Sequence, residues 1–199
     1  VRAAIKETRA IRRVGNGCRA AWGSGGKQRG LINMRRAPEA LAQLETPLAK
    51  KLFTNTEILT VAELESRYHI RVERYLKDVL SEMETMSEML DTQVLPAAYR
   101  YLGVLAEGAA KSKQGGIKTI PQIAAAESVG KLVTQLQAKS AALHAAIKKA
   151  STMHDTPAKC AQFLTSTGAG AMEAARAVSD KLELSMGDEF WPLPRYREM

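Results

Sequence analysis

Histidine and cysteine, the side chains that most often bind metals or act as nucleophiles, are rare in this sequence. The 199 residues include three histidines, His69, His144 and His154, and two cysteines, Cys18 and Cys160. No two of them have the His-x-x-x-His or Cys-x-x-Cys spacing of metal ligands. Cys160 and His154 could pair as nucleophile and base, but nothing in the sequence orients them. We therefore expect packed or solvated histidines, a buried thiol at Cys160 that behaves as a small apolar group, and no metal or catalytic site.

A glycine-rich stretch, Gly23-Ser24-Gly25-Gly26-Lys27, is a second candidate because glycine-rich loops that end in lysine bind phosphates. It departs from that pattern twice, since Ala21 stands at the first glycine position and Gln28 replaces the hydroxyl residue after the lysine. We expect a flexible loop here instead, within a longer loop over residues 14–37 that includes the turn-forming Gly15-Asn16-Gly17.

Acidic and sulfur-containing side chains lie close together in one later stretch, at Glu82, Glu84, Glu88, Met83, Met86 and Met89. Glutamates at such positions of a bundle helix usually form a solvated face. Methionines at helical spacing usually fill a core. We therefore expect neither group to be a set of ligands.

Positive charge is concentrated near the first residue. The net charge is +8, yet residues 1–51 contain 12 Lys and Arg against 3 Asp and Glu, a net of +9, and residues 52–199 have a net of −1. This basic leader could contact the phosphates of a nucleic acid, although its only aromatic residue, Trp22, provides no stacking platform. It could equally contact an acidic protein surface, including another part of its own chain. Its cations include Arg2, Lys6, Arg9, Arg12, Arg13, Arg19, Lys27, Arg29, Arg35 and Arg36.

The elements that would position these residues are helices. Thr60 and Glu63 have the spacing of a capping box, and apolar residues then recur every three or four positions up to Val94. The helix could continue past a kink at Pro96 to about residue 110. We expect a loop over Ser112–Thr119, a second long helix from Pro121 to about residue 152, and a third over about 157–186, interrupted near Gly168-Ala169-Gly170. The apolar stripe of the first helix comprises Leu64, Tyr68, Val72, Tyr75, Val79, Met83, Met86, Leu90 and Val94.

The predicted fold is therefore all-α, an antiparallel bundle of about three long helices. We expect two regions: a basic, loop-rich leader over residues 1–58, with a short helix opening at Pro38 and ended or kinked by Pro47, and the bundle over residues 59–199. Phe190 and the Trp191-Pro192-Leu193-Pro194 tail should be non-helical and should dock on the bundle. No apolar run approaches a membrane span, and the two distant cysteines favour a reduced, intracellular protein. The start, Val-Arg-Ala-Ala-Ile-Lys, has no signal-peptide pattern and indicates a processed protein or a piece of a longer one.

Several short motifs occur in an order that resembles one known family. They are Gly15-Asn16-Gly17 with Trp22, Arg29-Gly30-Leu31 with Asn33, Pro38-Glu39-Ala40-Leu41, Glu63-Leu64 with Ser66-Arg67-Tyr68, Leu95-Pro96-Ala97, and Trp191-Pro192-Leu193-Pro194 with Tyr196. Together they resemble the C-terminal region of type III glutamine synthetase over nearly the whole chain. Two departures stand out: Cys18 where the family usually has tyrosine, and Gly23–Lys27 where the family is acidic and helical.

The resemblance implies a larger, cytoplasmic, oligomeric parent enzyme of stacked rings. Such a glutamate–ammonia ligase uses ATP and Mg²⁺ or Mn²⁺ to make glutamine through a γ-glutamyl phosphate. The family's catalytic, nucleotide and metal-binding residues lie upstream of this region, so the resemblance assigns no catalytic, cofactor-binding or metal residue here. It implies an inactive structural and assembly region whose partners are the catalytic domain of the parent chain and further copies of itself, and it argues against nucleic acid or a membrane. Two alternatives are a stand-alone basic protein that binds nucleic acid, and a helical bundle that scaffolds other proteins.

Overall fold

The computed structural model describes residues 2–12 and 20–195, and within them all regular secondary structure is helical. The predicted all-α fold class is therefore confirmed. The chain divides into two compact units, Val1–Leu64 and Glu65–Met199. The predicted turn at Gly15-Asn16-Gly17, and the residues Cys18 and Tyr196, lie outside the described residues.

The first unit contains short helices. They are α1 (Arg2–Glu7), α2 (Ala20–Gln28), α3 (Ala37–Ala42) and α4 (Pro47–Asn55). Pro47 does more than end the preceding helix, because it opens α4, and the Thr46 hydroxyl accepts a hydrogen bond from the amide of Ala49 at 3.3 Å as an N-cap.

The predicted loop over residues 14–37 is wrong for residues 20–28, where the glycine-rich stretch lies within α2. A well-formed C-terminal cap just beyond this stretch helps to stabilise the helix. Gly30 has φ 74°, its amide donates to the Lys27 carbonyl at 3.1 Å, and the Leu31 amide donates to the Gly26 carbonyl at 3.0 Å. These two bonds form a Schellman motif, which satisfies carbonyls at the helix end and offsets part of the low helix propensity of the glycines.

The first long helix, α5 (Val61–Met89), starts at the predicted capping box. The Glu63 amide donates to the Thr60 hydroxyl at 3.3 Å, and the Thr60 amide donates to the Glu63 carboxylate at 2.8 Å. A π-helical turn over Leu90–Val94 then leads into α6 (Leu95–Gln114) without a break. The turn ends two residues before Pro96, which has no amide hydrogen to donate.

The predicted loop over Ser112–Thr119 begins too early, because α6 extends to Gln114. The stop is again a Schellman motif: Gly116 has φ 78°, its amide donates to the Lys113 carbonyl, and the Ile117 amide donates to the Ser112 carbonyl, both at 3.1 Å. The lysines near this end also suit the negative pole of the helix dipole.

Two further helical segments complete the second unit. They are α7 (Pro121–Ser151) and a run composed of α8 (Pro157–Phe163), a π-helical turn (Leu164–Gly168) and α9 (Ala169–Ser185). The interruption expected at residues 168–170 is thus a widened turn rather than a break. α7 packs against both α6 and α9.

Side-chain contacts give the relative directions of these helices. Asp91 contacts Ser140 and His144 of α7. Tyr99 lies further along the α5–α6 run, and its hydroxyl accepts a hydrogen bond at 2.9 Å from the side-chain amide of Gln137, which lies nearer the start of α7. Positions further along the first run thus contact positions closer to the start of α7, so the two are antiparallel. The core between the helices is rich in leucine, valine, methionine and alanine, including Met83, Leu90, Val94, Val129, Leu136, Leu143, Leu164 and Leu182.

The tail docks on this core. A 3₁₀ turn over Asp188–Phe190 comes first, so Phe190 is helical, contrary to expectation, and the residues after it are extended. The Phe190 ring lies 5.2 Å from the Tyr101 ring, and Trp191 and Leu193 pack against the core. The guanidinium of Arg195 binds the Asp188 carboxylate at 2.8 Å and the Met186 carbonyl at 3.1 Å, which fastens the tail.

The second π turn approaches α5 closely because Gly168 has no side chain. A Cβ atom placed on Gly168 would lie 3.0 Å from Sδ of Met83 and 3.3 Å from Cδ2 of Leu164, and both neighbours are fully buried. A Cβ placed on Gly170, two residues later, would meet nothing within 4 Å. Only the first glycine is therefore required by packing.

We predict that Gly168→Ala destabilises the protein by about 1 kcal/mol, because overpacking costs about 1–3 kcal/mol and the gain in helix propensity is smaller. The matched variant Gly170→Ala should be stabilising by about 0.5–1 kcal/mol. Urea unfolding followed by circular dichroism measures both. Equal stabilisation by the two substitutions would show that the contact with Met83 does not constrain the turn.

Candidate functional site

The candidate residues singled out in the sequence do not converge on a site. Cys160 is buried, and its thiol donates to the Ala150 carbonyl at 3.7 Å. Burial raises the pKa of the Cys160 thiol, which disfavours the reactive thiolate. His154 is exposed and contacts the neighbouring Asp155 at 3.3 Å. In the part of the chain that the structure describes, no group of three or more His, Cys, Asp or Glu residues could hold a metal ion.

The glutamates and methionines of α5 separate as expected. Glu82, Glu84 and Glu88 are exposed, whereas Met83 is completely buried in the core. Met86 and Met89 are half-buried.

One polar constellation in the second unit was not expected. Asp91, in the first π turn, accepts a hydrogen bond from the Ser140 hydroxyl at 2.8 Å on one oxygen and contacts Nε2 of His144 at 2.6 Å with the other. The hydroxyl of Ser87 lies 3.2 Å from the same Nε2 and 3.3 Å from Nδ1. Ser87 and Ser140 are buried, at 4% and 3% exposure. We call these four residues the polar cluster.

The polar cluster has a simple origin in the sequence. Ser87 lies four residues before Asp91, and Ser140 lies four residues before His144, so each pair occupies one face of its helix. Each serine also lies at a buried position among apolar core residues of its helix, and a buried hydroxyl needs a partner. Serines at core-facing positions of two facing helices are the signal that could have revealed the cluster, but the pairing itself depends on the helix register.

A serine, a histidine and an aspartate together invite comparison with a hydrolytic triad, and the geometry excludes it. In a triad the serine and the carboxylate contact opposite ring nitrogens, so that the histidine takes the serine proton while the carboxylate holds the ring in the required tautomer and orientation. Here Asp91 occupies Nε2, and the Ser87 oxygen is almost equidistant from both nitrogens. Ser87 is also buried, where a substrate has no access. The cluster therefore acts as a polar link between the π turn and α7.

We predict that Asp91→Ala destabilises the protein by about 1–3 kcal/mol, because it leaves the buried Ser140 hydroxyl without its acceptor. Ser140→Ala in the Asp91→Ala background should then cost little, so that a double-mutant cycle gives a coupling of about 0.5–3 kcal/mol. Chemical unfolding of the wild type, both single variants and the double variant measures this. Additive effects of the two substitutions would contradict the link.

The first unit has a different kind of surface. Eight of its described large apolar side chains are exposed, compared with six in the longer second unit. Leu48 and Leu52 lie one turn apart on α4 at 79% and 58% exposure. We call these eight residues, together with the exposed cations among the described residues of the first unit, the leader surface. They are Ile5, Ile11, Ile32, Met34, Leu48, Leu52, Ile58 and Val61.

Comparison with known proteins identifies the family. The sequence model described as "Glutamine synthetase C-terminal domain" matches residues 1–113, more than half of the chain. The chain belongs to this glutamine synthetase family. The match covers the first unit and continues through α5 to the last turn of α6.

Three curated relatives extend the similarity over nearly all of the chain. The type-3 glutamine synthetase of Dictyostelium discoideum is 30% identical over 93% of this chain. A glutamine synthetase of Bacteroides fragilis is 24% identical over 95%, and one of Butyrivibrio fibrisolvens is 27% identical over 100%. The aligned region is only 26–29% of each relative's own length.

These findings confirm the resemblance inferred from the short motifs. They also agree with the position of those motifs, since most fall within residues 1–113. Separately, no helix among the described residues has the length and apolarity needed to cross a bilayer.

Proposed function

We propose that this chain is the helical C-terminal region of a type III glutamine synthetase and serves in structure and assembly rather than in catalysis. The observation that carries the proposal is the leader surface, which exposes large apolar groups and cations within the segment that matches the family. We propose that the leader surface contacts the catalytic domain of the same enzyme. The family match and the relatives, which are almost four times as long as the aligned region, support this partner.

The chemistry of the leader surface favours a protein partner over nucleic acid. Phosphate contacts require exposed cations, which the unit has, but they gain nothing from exposed leucine and isoleucine side chains. Leu48 and Ile32, at 79% and 71% exposure, present apolar area that is stabilised only when another apolar surface covers it. The basic residues among them then suit acidic groups at the rim of such an interface.

The parent enzyme would join glutamate and ammonia with ATP and a divalent metal, as an oligomer in the cytoplasm. The described residues of this chain do not fit those cofactors. The glycine-rich stretch that could have cradled phosphates lies inside α2, so its amides are used in the helix. No described acidic group has the neighbours of a metal site. On this proposal, nucleotide, metal and glutamate bind in the catalytic domain.

The first prediction from this proposal is that the purified chain alone forms no glutamine. Incubation with glutamate, ammonia, ATP and Mg²⁺ or Mn²⁺ should release phosphate no faster than a blank without protein. ATP-dependent glutamine formation by residues 1–199 would contradict the assignment of catalysis to another part of the enzyme.

The second prediction uses the leader surface directly. The Dictyostelium enzyme with its aligned region replaced by this chain should assemble and form glutamine. Leu48→Lys with Leu52→Lys in that chimera should lower activity about tenfold or more and yield smaller species in size-exclusion chromatography, because burying unpaired charge is costly. The control Leu184→Lys changes a side chain that is 86% exposed in the second unit and should leave both measurements unchanged. Equal behaviour of the two variants would refute a docking role for the leader surface.

A further inference from the structure

The second unit contains a cleft that neither the core nor the proposed function uses. It lies between the last turns of α5, the first π turn, α9 and the docked tail, with a volume of about 680 Å³. Met86 and Met89 line it from α5, and Trp191 and Leu193 line it from the tail. All four side chains are half-buried, so the cleft offers apolar area that is still accessible.

The walls of this cleft combine rigidity with adaptability. The aromatic contact of Phe190 with Tyr101 and the ion pair of Arg195 with Asp188 hold the tail wall in place. Methionine on the opposite wall has an unbranched, polarizable side chain, which adapts to the shape of an apolar partner. An open groove of this kind between two helices and a strap fits a helix that lays down its apolar face.

The charged residues at the rim of the cleft indicate which charge a partner should have. Glu82, Asp180 and Glu183 line it, against one cation, Arg176, which lies 3.8 Å from Asp180. The lining thus has a net charge of −2 within a chain whose total is +8. A partner with positive residues beside its apolar face is complementary to this rim, and an acidic partner is repelled.

We propose that this acidic-rimmed cleft binds an amphipathic protein helix whose apolar face is flanked by lysine or arginine. The apolar face would pack on the methionines and Trp191, and its cations would lie beside Glu82 and Glu183. The carboxylates on the rim provide selectivity and the apolar floor provides most of the affinity. This proposal does not depend on the catalytic partner, because the leader surface contributes nothing to the cleft.

The test uses the full chain with Trp22→Phe, which leaves Trp191 as the only tryptophan. The probe is a synthetic helical peptide of leucine and lysine with its leucines on one face. Adding the peptide should shift the Trp191 fluorescence emission to shorter wavelength, because binding removes water from the cleft. The shift should reach a plateau at high peptide concentration. Affinity should fall with rising salt, since charges on the rim are screened. The same peptide with glutamate in place of lysine should bind about tenfold or more weakly.

Matched charge reversals locate the binding. Glu82→Lys with Glu183→Lys should lower the affinity for the lysine peptide about tenfold or more. Glu84→Lys with Glu173→Lys places the same charges on the same helices outside the cleft lining and should change affinity little. Circular dichroism confirms that both variants remain helical.

Three results would overturn the proposal. Equal binding of the lysine and glutamate peptides would show nonspecific apolar adhesion. Equal effects of the two charge-reversal pairs would show general electrostatic attraction. A concentration-dependent Trp191 shift without peptide, abolished by Glu82→Lys, would show that a second copy of this chain fills the cleft.

Discussion

One apolar stripe runs along the continuous helical run from α5 through the first π turn to α6, and covering it is the constraint on which the second unit depends. That run has a contour length of about 80 Å at the usual rise per residue. α7 packs against α6, and α9 packs against α7, so the apolar positions of the three segments share one core. The tail then covers part of what remains, with Phe190 on Tyr101.

The polar devices of the second unit all serve this packing. The first π turn ends two residues before Pro96 and presents Asp91 to Ser140 and His144 of α7. The second π turn brings Gly168 against Met83, and the nearby Thr165 hydroxyl lies 2.7 Å from the Tyr75 hydroxyl on α5. π turns often mark functional sites, but here both join a helix to its neighbour, the first through the buried Ser140 hydroxyl and the second through the buried Met83. The shared role explains why a serine, a histidine and an aspartate can meet without forming a reactive site.

Much of this architecture follows from local sequence signals, and the failures have a common cause. The capping box at Thr60 and the stripe after it depend on spacing alone, so α5 was predictable. The helix ends at Gly30 and Gly116 depend on a left-handed glycine two residues beyond the helix, and the preceding glycines of α2 obscured the first. The π turns and the polar cluster depend on contacts between distant segments, such as Asp91 with His144. No single-segment pattern contains that register.

The charge of the chain is best understood by location. A total of +8 suggests one basic protein with an affinity for phosphates, yet the two units present opposite chemistry. The first combines cations with exposed isoleucine and leucine, and the second has an apolar cleft lined by three carboxylates and one guanidinium. Phosphate binding would explain neither the exposed leucines of α4 nor the acidic rim. The two proposed protein interfaces would account for both, because such interfaces bury apolar groups at the centre and place complementary charge around them. Among the described candidates for chemistry, the Cys160 thiol is buried, and His144 and His154 each contact an aspartate.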